Sequence, residues 1–248
     1  MASYDVLGNI AVVKKKTSKK IISKLLKNPN IKTVVEKSER IKGRLRTMKT
    51  KHLAGERNLI AKIKENSCVF VFNIESCYFS SRLSNERKEI ANTIKKNQRV
   101  LVMFSGIGVY PIVIAKNKKP REIIAIELGK ECNKYALENS RLNHIKNIRF
   151  IQGDVKKKVN KQLGKFDVIV MPRPNLKETF LKQAFSVSKK STTIFYYAFG
   201  KQDELNKIKD EIKSNAIKAK KKIKIINIKK AGDIAPYKFR FRIEIKVF

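Results

Sequence analysis

The sequence predicts an α/β fold, a mostly parallel doubly wound sheet preceded by a smaller α+β unit. Three observations carry this. From residue 96 onward, apolar runs alternate with amphipathic stretches, the pattern of repeated β-α units. The run VLVMFSGIGVYP at 100–111 ends a buried strand in Ser-Gly-Ile-Gly, which lets a ligand approach the backbone and the first helical amides. Residues 1–95 carry short strands around two helices without that alternation, so they form a first unit, with 96–248 as the second.

In the first unit DVLGNIAVV reads as a short strand opening with a turn. SKKIISKLLKNPN is a helix with an apolar stripe that stops at Asn-Pro-Asn. IKTVVEKS alternates like a strand, GRLRTMKTKHLAGE is basic strand and loop, and SCVFVFNIES is a strongly apolar strand. SNERKEIANTIKKNQ is a helix with Ser84 as its expected N-cap.

In the second unit RVLVMF, EIIAIE, IRFIQGD, FDVIVMP and TTIFYYAFG are the strands. The helices between and after them are VYPIVIAKN, with Pro111 near its start, KECNKYALENSRLNH, LKETFLKQAFSVS and DELNKIKDEIKSNA. KIKIINIKKAG and FRFRIEIKVF close the fold as an antiparallel pair.

The composition bounds the partners. The chain has 248 residues and is 42% hydrophobic, enough for a real core. Its 58 Lys+Arg stand against 21 Asp+Glu, a formal charge of +37. Such an excess opposes compaction unless a polyanion is bound, so nucleic acid is the expected partner. No stretch has the length and apolarity of a membrane-spanning helix. The start, MASYDVLGNIAVVKKK, lacks a signal-peptide layout. Cys68, Cys77 and Cys132 form no CxxC pair and are expected to be reduced core residues of a cytoplasmic protein, without a metal or a disulfide. With only two His, neither a His-based metal site nor a Ser-His-Asp triad is expected.

Three features lie in order at successive strand ends. Gly106 and Gly108 follow the first strand of the second unit. Glu127 ends the next strand, roughly 20 residues on, where an acidic side chain takes ribose hydroxyls. Gly153-Asp154 ends the third, where a carboxylate can accept from an adenine amino group. Phe104 lies beside the glycines as a cofactor-wall candidate, although its position also suits the core. The third position of a dinucleotide fingerprint is Pro111, and no GxxxxGK[ST] loop is present. A nucleoside cofactor without phosphates points to S-adenosylmethionine.

The segments YDVLGNIAVV, LRTMKTKHLAGE, YFSSRLSNER, VLVMFSGIGVYP, IIAIELGKECNKYALENSRLN and FIQGDV together resemble the archaeal and eukaryotic tRNA (guanine37-N1)-methyltransferase family, over nearly the whole chain. The YFSSRLSNER block with LAGE upstream is the most specific part. The resemblance implies a Rossmann-like class I methyltransferase acting on a purine 3′ of the anticodon, with the tRNA anticodon arm as partner; a monomer is expected. Val102 stands where the family has an acidic residue, and Pro172 of Met171-Pro172-Arg173-Pro174 stands where it has Asn. The small tRNA-elbow domain of many members is expected to be absent.

Methylation of guanine N1 requires removal of its proton, so a general base is needed. Glu86 matches the family's Glu in YFSSRLSNER and is the candidate; as first-turn helix charge it has a plainer role open to it. Negative charge then builds on O6, and Arg46, with Arg44 as alternative, is the candidate cation. Tyr78 offers a stacking face to an extruded purine, unless it is simply a core aromatic. Arg82 and Arg87 are expected to meet phosphates, and the main chain near Pro172 and Pro174 to hold the base edge. Three alternatives stay open. They are an additional methylation at C7 of a wyosine precursor, an aminocarboxypropyl transfer to it, and an inactive RNA-binding module.

Overall fold

The structure, a computed structural model, describes residues 4–39 and 43–248. The first three residues of the stretch read for a leader lie outside the described residues.

Strands β1 (Tyr4–Leu7) and β2 (Ile10–Val13) form an antiparallel pair. Helix α1 (Lys19–Leu26) crosses to β3 (Thr33–Lys37), which runs parallel to β2, and β4 (Thr50–Gly55) closes a four-stranded sheet in the order β1-β2-β3-β4. Leu25 of the α1 stripe packs with Ala11, Val13, Ile31 and Val34 in a small core of its own. Strands β5 (Ile60–Glu65) and β6 (Cys68–Asn73) then make a separate antiparallel hairpin. The chain continues through a 3-10 turn, Ser81–Leu83, into α2 (Ser84–Thr93).

The second unit is a seven-stranded sheet. It contains β7 (Arg99–Met103), β8 (Glu122–Glu127), β9 (Ile148–Gln152), β10 (Phe166–Met171), β11 (Ser188–Gly200), β12 (Ile223–Ala235) and β13 (Lys238–Val247). Helices α3 (Val109–Lys118), α4 (Lys130–Leu142), α5 (Val155–Lys158), α6 (Leu181–Ser186) and α7 (Leu205–Lys218) connect them. The order is β12-β13-β11-β10-β7-β8-β9, parallel from β9 to β11 and antiparallel at β13 and β12. After β7 the chain builds outward to β8 and β9, then returns to place β10 on the other flank of β7. That reversal opens a crevice at the carboxyl ends of β7 and β10.

The apolar core is continuous across residue 95. Phe70, Phe72 and Ile90 pack in one cluster with Val100, Ile112 and Phe195. What seats the β5–β6 hairpin is polar. On β6, Val71 donates to Asn139 Oδ1 (2.7 Å) and accepts from its Nδ2 (3.1 Å); Val69 does the same with Asn143, at 2.8 and 2.6 Å. On β5, Lys62 N donates to Asn9 Oδ1 (2.8 Å), and Asn9 Nδ2 donates to the Ile60 carbonyl (3.2 Å). Asparagine amides thus pair with both open edges of the hairpin.

Four expectations are corrected. Ser84 is not an N-cap: Leu83 holds that place and Ser84 is already helical, because the 3-10 turn leads directly into the helix. The helix expected over 176–188 shrinks to Leu181–Ser186, because Arg173 binds the carbonyls of Pro174, Leu176 and Glu178 and holds the preceding loop open. β5 forms in a stretch to which no element was assigned; its exposed and buried positions interleave too irregularly to mark it. Cys77 and Cys132 are paired as a disulfide, with Cα atoms 5.5 Å apart, leaving Cys68 buried and free. They lie 55 residues apart in sequence, and only the docking of the β6 exit onto α4 brings them together. Among the described residues no helix is long and apolar enough to cross a membrane, and no His/Cys/Asp/Glu group could hold a metal.

Asn139 is fully buried and also donates to the Ile107 carbonyl at 3.1 Å. Asn139→Ala strands the half-buried N–H and C=O of Val71 and the buried Ile107 carbonyl, so urea unfolding should show a loss of about 3 kcal/mol. A loss below about 1 kcal/mol would mean water replaces the amide at no cost.

Candidate functional site

The site begins where β7 and β8 end. Ser105 N donates to the Ile126 carbonyl (3.0 Å), which turns the chain out of the sheet. The two glycines that follow differ in purpose. Gly108, at φ +84, caps α3, and a Cβ there would come within 3.2 Å of Ala136 Cβ, so it allows α3 to pack on α4. A Cβ on Gly106, at φ +56, would meet nothing within 4 Å, and this glycine borders the cavity instead. Gly108 does not border it.

Glu127, at the end of β8, accepts from Gly106 N (2.7 Å) and Gly129 N (2.8 Å), tying the two turns together. Burial pushes its carboxyl above the ordinary glutamate range, and the amides offset this only in part. Asp154 caps α5 by accepting from Lys156 N and also accepts from Arg44, both at 2.9 Å. Desolvation acts to raise its carboxyl, but the Lys156 amide and Arg44 prevail and hold it low. The two carboxyls therefore sit on one rim with opposite tendencies. Ser105 Oγ, in the same cavity lining, is buried with no hydrogen-bond partner.

These groups border a cavity of about 1100 Å³ including its open mouth. The facing wall comes from the first unit. The Arg46 guanidinium lies 3.4 Å from the centroid of the Tyr78 ring, a close cation–π pair. Burial acts to raise the Tyr78 phenol, but Arg46 and a hydrogen bond with Ser80 lower it below 10.0. Pro172 and Pro174 form the third side, held by the Arg173 staple, whose Nε also donates to the Tyr197 carbonyl at 2.9 Å. Phe104, at φ +60, borders the cavity and meets Phe180 edge-on at 4.9 Å, so it serves wall and core together.

Glu86 lies behind this surface. It is buried and does not border the cavity. Its Oε1 accepts from the Tyr197 hydroxyl (2.6 Å) and from Arg242 Nη1 (2.9 Å). Tyr197 does border the cavity, and Tyr110 donates to its hydroxyl at 3.1 Å. Burial drives the Tyr197 phenol well above 10.0. Arg242 spreads over Glu86, Glu89 and Glu244.

Two arginines divide differently from expectation. Arg87 is buried in a two-pronged pair with Glu65 and donates to the Ser80 carbonyl (2.9 Å), so it holds the Tyr78 loop rather than a phosphate. Arg82 is exposed, 3.2 Å from Asp5, and lies outside the cavity. Sequence reasoning assigned no role to Ser105, Tyr197 or Arg242. Ser105 sits inside the glycine turn and was readable there. Tyr197 and Arg242 lie on strands whose alternation signals only burial.

The chain matches the model of the TRM5/TYW2 methyltransferase domain over residues 61–226 and that of the TYW2 N-terminal domain over residues 1–58. It is 32% identical to a Nanoarchaeum equitans protein named tRNA (guanine(37)-N(1))/4-demethylwyosine(37)-methyltransferase Taw22, over 98% of this chain and 99% of that protein. Its fold is similar to the crystal structure of wild-type Trm5b from Pyrococcus abyssi, with a TM-score of 0.86, 27% identity, and 99% of this chain on 74% of that one. It is also similar to aTrm5 in a complex with tRNALeu, with a TM-score of 0.84, 25% identity, and 99% of this chain on 72% of that one.

Proposed function

The chain belongs to the TRM5/TYW2 methyltransferase family, and on that premise we propose that it transfers a methyl group from S-adenosylmethionine to N1 of guanine 37 of tRNA, 3′ of the anticodon. The observation that carries this reading is the two-sided cavity. A nucleoside-type rim of Gly106, Glu127 and Asp154 faces an aromatic and cationic wall of Tyr78 and Arg46.

The cofactor rim suits its ligand. Glu127 and Asp154 are acceptors for ribose and adenine, and the unpartnered Ser105 Oγ offers a polar group to the amino-acid end. The space over Gly106 leaves room for close approach. Phe104 supplies apolar surface beside it. When bound, S-adenosylmethionine supplies an electrophilic methyl group.

In this reading Tyr78 stacks on the extruded guanine, and Arg46, held against that ring, stabilises the charge that develops on O6. Pro172 and Pro174 present main-chain groups to the base edge. Glu86 is the proton acceptor, reached through Tyr197. The N1 proton passes to the Tyr197 oxygen as the Tyr197 hydroxyl proton passes to Glu86 Oε1. A phenol so disfavoured as an anion hands a proton on rather than keeping the charge. Arg82 meets phosphate outside the cavity. Residues 1–95 serve as the substrate-facing unit and 96–248 as the cofactor unit. Both walls come from one chain, which supports a monomer acting on the anticodon arm.

A second activity has one specific support. The Nanoarchaeum relative is named for both guanine and 4-demethylwyosine, and Pro172 offers no side-chain hydrogen bond to select one base.

Incubating unmodified tRNA transcripts and 4-demethylwyosine stem-loops with labelled cofactor, then mapping products by mass spectrometry, tests both readings. N1-methylguanine at position 37 is expected. A modified residue elsewhere, or none, overturns the main reading; an untouched tricyclic base removes only the second. Glu86→Gln and Tyr197→Phe should each lower the single-turnover rate about 10²-fold, and the double variant scarcely further. Additive losses would separate the two residues.

The rim also fixes a pH dependence. Glu127 protonates at higher pH than an exposed glutamate and then no longer accepts from both ribose hydroxyls. Cofactor affinity should therefore fall as pH falls, starting above the ordinary carboxylate range, and calorimetry of Glu127→Gln should show a weak, flat profile across the same window. An unchanged wild-type slope in that variant would assign the titration to another group.

A further inference from the structure

The β12–β13 hairpin ends in a two-residue loop, Pro236-Tyr237, between the paired Ala235 and Lys238. Tyr237 stands at φ +58, a region where glycine is favoured and an L side chain is strained. A proline at the first corner with a left-handed residue at the second ordinarily calls for Gly or Asn. The ring gains no packing in exchange, being 82% exposed. A bulky aromatic kept at a strained, unpacked tip marks a surface used by something outside the chain.

The surroundings indicate what. Tyr237 borders a shallow groove with Arg82, Ile234 and Phe239. Arg82 and Ile234 also line a larger cleft of about 1570 Å³, which runs on to Arg240, Arg46 and Tyr78. Those last three also line the cofactor cavity. The groove and the cleft share Arg82 and Ile234 and form a trough from the hairpin tip, and its inner end, at Arg46, Tyr78 and Arg240, borders the methyl-transfer cavity. Its cations are Arg82, Arg240, Lys37 and Arg46; its acids are Asp5, which Arg82 already neutralises, and Asp233. Lys238 adds an exposed cation beside Tyr237.

We propose that this trough seats unpaired nucleotides adjoining the target base, with Tyr237 as a stacking platform and Arg82, Arg240 and Lys238 as phosphate contacts. The inference rests on the reading of the chain as a tRNA methyltransferase and adds a second anchoring point to it. Aromatic stacking on splayed bases with cations along the backbone is how proteins hold single-stranded RNA. The exposed Arg82–Asp5 pair is weak enough to yield to a phosphate.

The chain has no Trp, so Tyr237→Trp introduces a single tryptophan at the tip, which can be excited apart from the tyrosines. Adding an anticodon stem-loop should quench it, and double-stranded RNA of equal length should not. Tyr237→Gly removes both ring and strain. It should keep its thermal midpoint and its cofactor affinity while binding the stem-loop about tenfold more weakly, whereas Tyr237→Phe should bind as the wild type does. Unquenched fluorescence together with stem-loop affinity within twofold in Tyr237→Gly would overturn the inference. Equal quenching by duplex RNA would also overturn it, since the tip would then read charge alone. If the wild type methylates its stem-loop in the same assay, only this inference fails; if it does not, the reading beneath it fails.

Discussion

Side-chain amides bind both edges of the β5–β6 hairpin, and the placement of the substrate-facing wall follows from that. A two-stranded hairpin is marginal by itself, and its outer backbone groups need partners once buried. Asn139 on the last turn of α4 and Asn143, its C-cap, are four residues apart, about 6 Å along a helix. Val69 and Val71 are two apart on β6, about 6.6 Å along a strand. The near match lets these two side chains mimic a neighbouring strand. Asn9 does the same on the β5 side, from the turn between β1 and β2. The hairpin thereby joins the small first sheet to the cofactor-binding layer. Because β6 runs directly into the loop that carries Cys77 and Tyr78, its seat sets where Tyr78 stands. The Cys77–Cys132 link ties that loop to α4 a second time.

The site inherits this arrangement. Everything that can meet a nucleoside cofactor comes from the carboxyl ends of parallel strands, as the reversal of strand order at β7 requires. Tyr78 comes from the segment that leaves the hairpin, and Arg46 packs on its ring from the loop before β4. Arg87 and Glu65 bind the loop to α2 and β5 from beneath, and Arg173 fixes the opposite side. Glu86 is placed by neither wall. It is held from behind by Arg242 of β13, and its other hydrogen-bond partner, Tyr197 of β11, lines the cavity. A carboxylate so enclosed is kept at one distance from the cavity.

The cofactor half was legible in the sequence because its chemistry is local. Gly106, Glu127 and Asp154 each follow an apolar run and precede a helix, so strand and turn are spelled within a few residues, and the structure brings all three to one cavity. The YFSSRLSNER block was legible through its family resemblance rather than through local pattern. The binding partners of the asparagines were not. Asn9 lies 51 residues from Ile60, and Asn143 lies 74 from Val69, and an asparagine within a helix pattern carries no mark of either bond. Arg87 had the same obscurity: a basic residue in a basic chain suggests phosphate, and only the fold shows Glu65 in contact with it. Gly108 was placed correctly in the turn, yet what it makes room for is α4 rather than the cavity.

The most direct measurement of this docking is native-state amide hydrogen exchange at Val69 and Val71. If the asparagine side chains act as a neighbouring strand, both amides are closed to water in the folded protein. They should then exchange as slowly as the central amides of β7 and β8, through global unfolding. Exchange at the rate of a fraying edge strand, orders of magnitude faster than in β7, would contradict the account and leave the hairpin, with the wall it carries, loosely attached.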